Sequence, residues 1–421
     1  EINVRRAVFY PDKPGINYIT VRGFTLMQAA TPWAPPTAEQ VGLIGTHWSK
    51  GWIIENNNIC YSTCVGITLG KYGDEFDNTV STAEGYVETI QRALQNGWNK
   101  ETIGGHMVRN NTISHCEQGG IIGSLGAVFS TITQNVIHDI HVRGLFSGFE
   151  MAGIKIHGAI DMEISRNHIY RSCRGIWLDW MAQGTRVTGN LLHDNGLEDF
   201  YPEVNHGPFV VDNNLFLSRT ALRDWSQGGA YAHNLFAGRM TASRVQNRET
   251  PFHKAHSTEI AGMKDIQCGD NRFYYNIFVG GEGLAPYDKA VLPVHMAGNV
   301  FLHGAMPSVH EKNALVKSDY DPGLELIQDG QTVMLTLSFT PPILDLCTRK
   351  DMTDQTDSAM NQVNTRLLGK TVISELAFLN CDGSELNIDT DYFGQKRDQT
   401  NPCAGPFEKL TNGNMTLQVW E

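Results

Sequence analysis

A short pattern of apolar and polar positions recurs along the chain: an apolar residue, two variable residues, Asn, one variable residue, then a second apolar residue. It reads Ile54…Asn57…Ile59, Val108…Asn111…Ile113, Ile132…Asn135…Ile137 and Ile164…Asn167…Ile169. It continues as Val187…Asn190…Leu192, Val211…Asn214…Phe216, Tyr231…Asn234…Phe236, Phe273…Asn276…Phe278 and Met296…Asn299…Phe301. Val21…Phe24…Leu26 opens the series as a copy without Asn. The Asn residues follow one another at steps of 54, 24, 32, 23, 24, 20, 42 and 23. The two long steps read as one coil plus an insertion.

A repeat of this length marks a solenoid in which each unit buries its apolar face only against its neighbours. Apolar alternation on both sides of the Asn is a strand period, which excludes helical repeats of the ankyrin type. The fixed leucines of a leucine-rich repeat are missing. The pattern therefore predicts an all-β chain, a right-handed parallel β-helix, with alternate side chains in a stacked core and a hydrogen-bonded Asn ladder at one corner. The Asn column is read as structural. Another strand is expected in several coils, at Gly66–Leu69, Gly153–Ile156 and Gly175–Leu178.

The pattern assigns the solenoid to residues 1–308. An insertion at about 72–102 carries a helix: Ser81 and Glu84 fit a capping box, Tyr86, Ile90, Ala93 and Leu94 form one apolar stripe, and Gly97 is a stop. A second insertion, about 240–270, reads as a long polar loop that walls a binding groove. Beyond 308 the Asn pattern ends. "DGQTVMLTLSF" alternates as an antiparallel strand, and "GKTVISELAFLNCDGSELNID" reads as two strands around Asp382-Gly383. Residues 309–421 are thus expected to form a β-rich, sandwich-like unit packed on the solenoid.

Composition adds little to the fold but narrows the function. A net charge of −12 argues against nucleic-acid binding and fits a neutral substrate such as a sugar. The eight cysteines, Cys60, Cys64, Cys116, Cys173, Cys268, Cys347, Cys381 and Cys403, are scattered without metal-ligand spacing and read as small buried hydrophobes in a reducing compartment. No metal or other cofactor is expected. No apolar run reaches the roughly 18 residues of a membrane span. A cytoplasmic location is the expectation. An extracellular one stays open, because the start at Glu1 without Met reads as mid-protein. Association of solenoid copies is also left open.

The candidate chemistry lies in "GIWLDWMAQGTRVTGNLLHDNGLEDFYPEV". Asp179 precedes Asn190 by 11 residues, and Glu203 precedes Asn214 by the same 11. The two acids therefore fall in one column on adjacent coils, which stack about 4.8 Å apart. Retaining glycosidases hold their carboxyl pair at about 5–5.5 Å, whereas inverting ones need roughly 6.5–9.5 Å. Spacing thus predicts retention. Two stacked acids repel unless one stays protonated or a cation intervenes, and an acid/nucleophile pair requires that asymmetry. Which acid attacks is not set by spacing. Trp177 and Trp180 alternate along the strand, so at most one is expected on the face of Asp179. Trp180 is retained as a candidate platform for a sugar ring. Lys155 and His157 on the preceding coil, Arg223 and Asp224 on the following one, Glu150 upstream and His206 beside Glu203 complete the substrate-binding candidates. His253 and His256 in the long loop could close the groove.

"EGYVETIQRALQNGW", "GFEMAGIKIHGAID", "RGIWLDWMAQGTRVTGNLLHDN", "EVNHGPFVVDNNLFLS" and "DYFGQKRDQTNPCAGPFEKL" together resemble glycoside hydrolase family 120, β-xylosidases built on a right-handed parallel β-helix with a β-sandwich beside it. The resemblance spans at least residues 80–300. It implies a retaining mechanism with Asp179 as nucleophile and Glu203 as general acid/base, and it implies a place for Glu150 in the sugar subsite. The expected activity is exo-acting release of xylose from xylo-oligosaccharides through a covalent glycosyl-enzyme. The alternatives are a β-helical polysaccharide lyase or a non-catalytic carbohydrate-binding solenoid.

Overall fold

The computed structural model describes residues 3–71, 73–77, 82–148, 150–339 and 362–421. Three parallel sheets wrap one apolar core. Two have eleven strands and the third has eight. One full coil runs Ile176–Asp179 in the third sheet, Arg186–Thr188 in the first and Leu191–His193 in the second, then re-enters the third at Phe200–Glu203.

The corner between the first two sheets explains the sequence pattern. The residue before each Asn takes a left-handed conformation: Asn56, Asn110, Gln134, Arg166, Gly189, Asn213, His233, Tyr275 and Gly298 have φ between 50° and 70°. That bend costs non-glycine residues roughly 1–2 kcal/mol each, and the following Asn offsets it. Asn190 Nδ2 donates to Asn214 Oδ1 at 2.9 Å and to the Ile164 carbonyl at 2.9 Å, while its own Oδ1 accepts from Asn167 Nδ2 and N at 3.0 and 2.9 Å. The same links run unbroken from Asn57 to Asn299. The expected opening copy is present: Val21 pairs with Ile54, and the Phe24 amide donates to Asn57 Oδ1.

Inside the coils the apolar residues of the pattern stack on their own kind. Phe216, Phe236, Phe278 and Phe301 form one column with successive ring centroids 5.1, 5.2 and 5.1 Å apart. All four are buried, and burial of each such side chain contributes about 2–3 kcal/mol.

Three expectations need correction. Ser81 lies outside the described residues; helix Ala83–Gln95 is capped by Thr82, whose hydroxyl accepts from the Gly85 amide. The stretch read as a long polar loop is an antiparallel β-arm, Val245–His253 paired with Ile260–Ile266. Much of the arm is solvated on both faces, so no apolar alternation announces it. Finally, Cys403 is disulfide-bonded, against the reading of every cysteine as a reduced hydrophobe; six others are free, and Cys347 lies outside the described residues.

The parallel sheets continue past residue 308 through Glu311–Lys312 and Leu315–Lys317. After them, Glu325–Asp329, Thr332–Phe339 and Gly413–Trp420 form a three-stranded antiparallel sheet. The segment around Asp382-Gly383 is held by single bridges such as Leu379–Glu385, not by two full strands. Val333, Leu335, Leu337 and Phe339 pack with Leu191, Leu215, Leu235 and Val300 from the second sheet. The third sheet is left clear of this contact.

Candidate active site

Alternation on the third sheet decides which side chains face out. Ile176 and Leu178 enter the core; Trp177 and Asp179 point away from it. Register then stacks equivalent positions. His157 pairs with Asp179, Asp179 with Glu203, and Glu203 bridges to Trp225. A parallel column runs Lys155, Trp177, Tyr201. His157, Asp179, Glu203, Trp177 and Tyr201 floor a cavity of about 410 Å³, within the usual size range for a small-molecule site. The helix of the first insertion adds Thr82, Ala83 and Tyr86 to its wall, and the β-arm adds Arg248.

The two acids have opposite environments. Asp179 Oδ2 lies 3.0 Å from Lys155 Nζ and 3.0 Å from His157 Nε2. Its Oδ1 has no hydrogen-bond partner. Burial alone would raise this carboxyl, but His157 and Lys155 outweigh burial and hold it well below the usual carboxylate range. Glu203 is pushed the other way, first by burial and then by the charge of Asp179. Trp177 Nε1 donates to its Oε2 at 3.0 Å. Arg248 spans the pair, with Nη1 2.7 Å from Glu203 Oε1 and Nη2 3.6 Å from Asp179 Oδ1.

Of the sequence candidates, Asp179, Glu203, His157, Trp180 and Arg223 line the cavity. Trp180 reaches it although it follows Asp179 directly, because a φ of 53° turns the chain there. Trp177 reaches it by alternation, so both indoles face the site, not one. Lys155 is fully buried beneath the floor, with its ammonium 3.6 Å from the Trp177 ring centroid.

The structure does not bring every candidate to the wall. Glu150 is fully buried and off the cavity wall; its Oε1 accepts from Lys155 Nζ at 3.1 Å, and its Oε2 has no partner. His206 is corrected more strongly. Val204, with φ 50°, bends the chain after Glu203, and His206 turns away to the base of the β-arm. There its Nε2 lies 3.0 and 3.1 Å from the carbonyls of Thr250 and Lys264, and Gln227 Nε2 donates to its Nδ1. Asp224 faces the core and accepts from Tyr287, Tyr231 and Asn271. His253 is buried against Trp98, and His256 pairs with Asp161.

Sequence reasoning missed Arg248, Arg174, Tyr201 and Tyr86, all on the cavity wall. Tyr201 shares the outward alternation of Glu203 and was findable by counting two residues back. Arg248 arrives on an arm with no periodic signal. Among the described residues, no group of three or more His, Cys, Asp and Glu side chains converges as a cation site.

The profile for the right handed beta helix region matches residues 42–239. Among solved structures, the chain matches the complex of XylC with xylose at a TM-score of 0.91 and 40% identity, covering 99% of this chain and 69% of that one. The chain belongs to the family of XylC and has its right-handed parallel β-helix fold. The comparison with curated proteins returned no match.

Proposed function

We propose that this chain is a retaining exo-glycoside hydrolase of family 120, a β-xylosidase that releases xylose from short xylo-oligosaccharides. The observation that carries this reading is the register pairing of Asp179 with Glu203, with proton affinities displaced in opposite directions. A carboxylate that stays ionised beside a carboxyl that holds its proton is what double displacement needs. The relative solved with xylose supports the sugar class.

In the first step Asp179 Oδ1 attacks the anomeric carbon. This oxygen has no hydrogen-bond partner, while Oδ2 is fixed by Lys155 and His157. Glu203 gives its proton to the glycosidic oxygen as that bond breaks, and the sugar remains esterified to Asp179. Esterification removes the Asp179 charge, which is the second cause of the raised Glu203 pKa. Glu203 therefore becomes more acidic as the intermediate forms, and its carboxylate is suited to take a proton from water. That water attacks the anomeric carbon and releases Asp179. Trp180 and Tyr86 pack edge to face at 5.2 Å and offer apolar surface to the ring.

The test is hydrolysis of an aryl β-xyloside followed by NMR from the first seconds. The reading expects β-xylose as the first-formed anomer. Asp179→Ala and Glu203→Ala should each lower kcat by orders of magnitude with the fold intact. Near-normal turnover in either variant contradicts the assignment.

A further inference from the structure

Over the Trp177–Tyr201 column, two residues before Asp179 and Glu203 on their strands, the cavity wall changes character. Arg174 and Arg223 both line it, and they share a single carboxylate. Arg223 Nη1 lies 3.0 Å from Glu198 Oε1, and Arg174 Nε lies 2.9 Å from Glu198 Oε2 but is misaligned for a hydrogen bond. Two cations against one anion leave one positive charge uncompensated at the cavity, in a chain whose net charge is −12. Arg248 does not alter this count, because it is already engaged by Asp179 and Glu203.

The guanidiniums sit over the rings of an aromatic row. Arg174 sits 4.6 Å from the Trp177 ring centroid; Arg223 sits 4.7 Å from that of Tyr201 and 4.0 Å from that of Trp225. Trp177 and Tyr201 stack at 5.2 Å, and Tyr201 meets Trp225 edge to face at 5.7 Å. The rings restrict where the guanidiniums can move, and a guanidinium carries five N–H donors in a fork that suits a carboxylate. The side chains keep 13% and 28% of their surface exposed, so a ligand can reach them.

Glu203 is the group that protonates the leaving oxygen in the mechanism above. It adjoins this patch through Tyr201, two residues before it, and through Trp177, which donates to its Oε2, so a leaving group on this side of Glu203 meets the two guanidiniums. We infer that Arg174 and Arg223, poised on the Trp177–Tyr201–Trp225 row, form a leaving-group subsite for an acidic sugar, a uronate whose carboxylate docks on the two guanidiniums. This rests on the glycosidase reading for its direction, but binding at the site does not depend on turnover. The substrate range then extends from neutral xylo-oligosaccharides to oligosaccharides whose unit next to the cleaved bond carries a carboxylate.

The experiment is a direct titration of the intact protein, following tryptophan fluorescence, with D-glucuronate and with D-glucose, which differ at C6 in carboxylate against hydroxymethyl. Glucuronate should bind about tenfold more tightly, the scale of one charge-assisted hydrogen-bonded pair. Added salt should erode that preference. Arg223→Gln should abolish it, whereas Glu198→Gln, which frees both guanidiniums, should enlarge it. Melting curves check that each variant folds, and the salt titration needs no variant. Equal binding of the two sugars within about twofold overturns the proposal, as does a preference that persists in the Arg174→Gln/Arg223→Gln double variant. Aryl xyloside turnover without a glucuronate preference defeats only this subsite. A glucuronate preference without turnover of any aryl glycoside defeats only the glycosidase reading.

Discussion

Asp179 and Glu203 are direct partners in the register of two adjacent parallel strands, and the charge of one raises the proton affinity of the other. That coupling is testable without turnover. In Asp179→Asn the Glu203 carboxyl should titrate at lower pH than in the parent, by about one unit or more given the charge removed. Difference infrared spectroscopy of the carboxyl band would follow it. An unchanged Glu203 titration would mean that burial alone sets its proton.

Arg248 touches both acids and lowers both. Arg248→Ala should therefore shift both limbs of the pH profile of kcat/KM upward. Asp179 would need higher pH to ionise, and Glu203 would keep its proton to higher pH. A loss in kcat/KM of roughly ten- to a hundredfold is expected from removal of one charge-assisted contact. If the activity falls but the limbs stay put, Arg248 only shapes the cavity.

The arm that carries Arg248 is stapled at its base by His206. Burial pushes this imidazole down to about 4 from an ordinary value of 6.5. With the arm undocked, an exposed His206 thus binds more protons than the docked one between those values, so the stability of docking is full above about pH 6.5 and is lost as pH falls toward 4. The loss reaches about 3 kcal/mol at most. Hydrogen exchange of amides in Val245–His253 should accelerate through that window ahead of those in the Asn ladder. Exchange that is uniform across both regions would contradict a local role for His206.

The solenoid was legible because a coil has a period and a period repeats. The Asn steps exposed the sheets, and the equal offsets of Asp179 and Glu203 from their own Asn residues predicted the register that the strands adopt. What sequence could not give lies where periodicity stops. The β-arm is an insertion with polar faces, so neither its strands nor the return of Arg248 over the site could be read. His206 looked near Glu203 because it is three residues away, yet one left-handed residue, Val204, sends it elsewhere. Glu150 was offered from its place upstream of Lys155 and again by the family resemblance, and it lies behind Lys155, off the wall. In the C-terminal region the turn at Asp382-Gly383 was visible, but single bridges replace the expected strands, since contacts to the solenoid stand in for a second sheet.

The central claim is covalent catalysis by Asp179, and the most direct measurement is trapping. Incubation with an activated 2-deoxy-2-fluoro-β-xyloside, followed by proteolysis and mass spectrometry, should find one fluoroxylosyl group per chain, on the peptide that contains Asp179. No covalent adduct, or an adduct on the peptide of Glu203, would contradict the account.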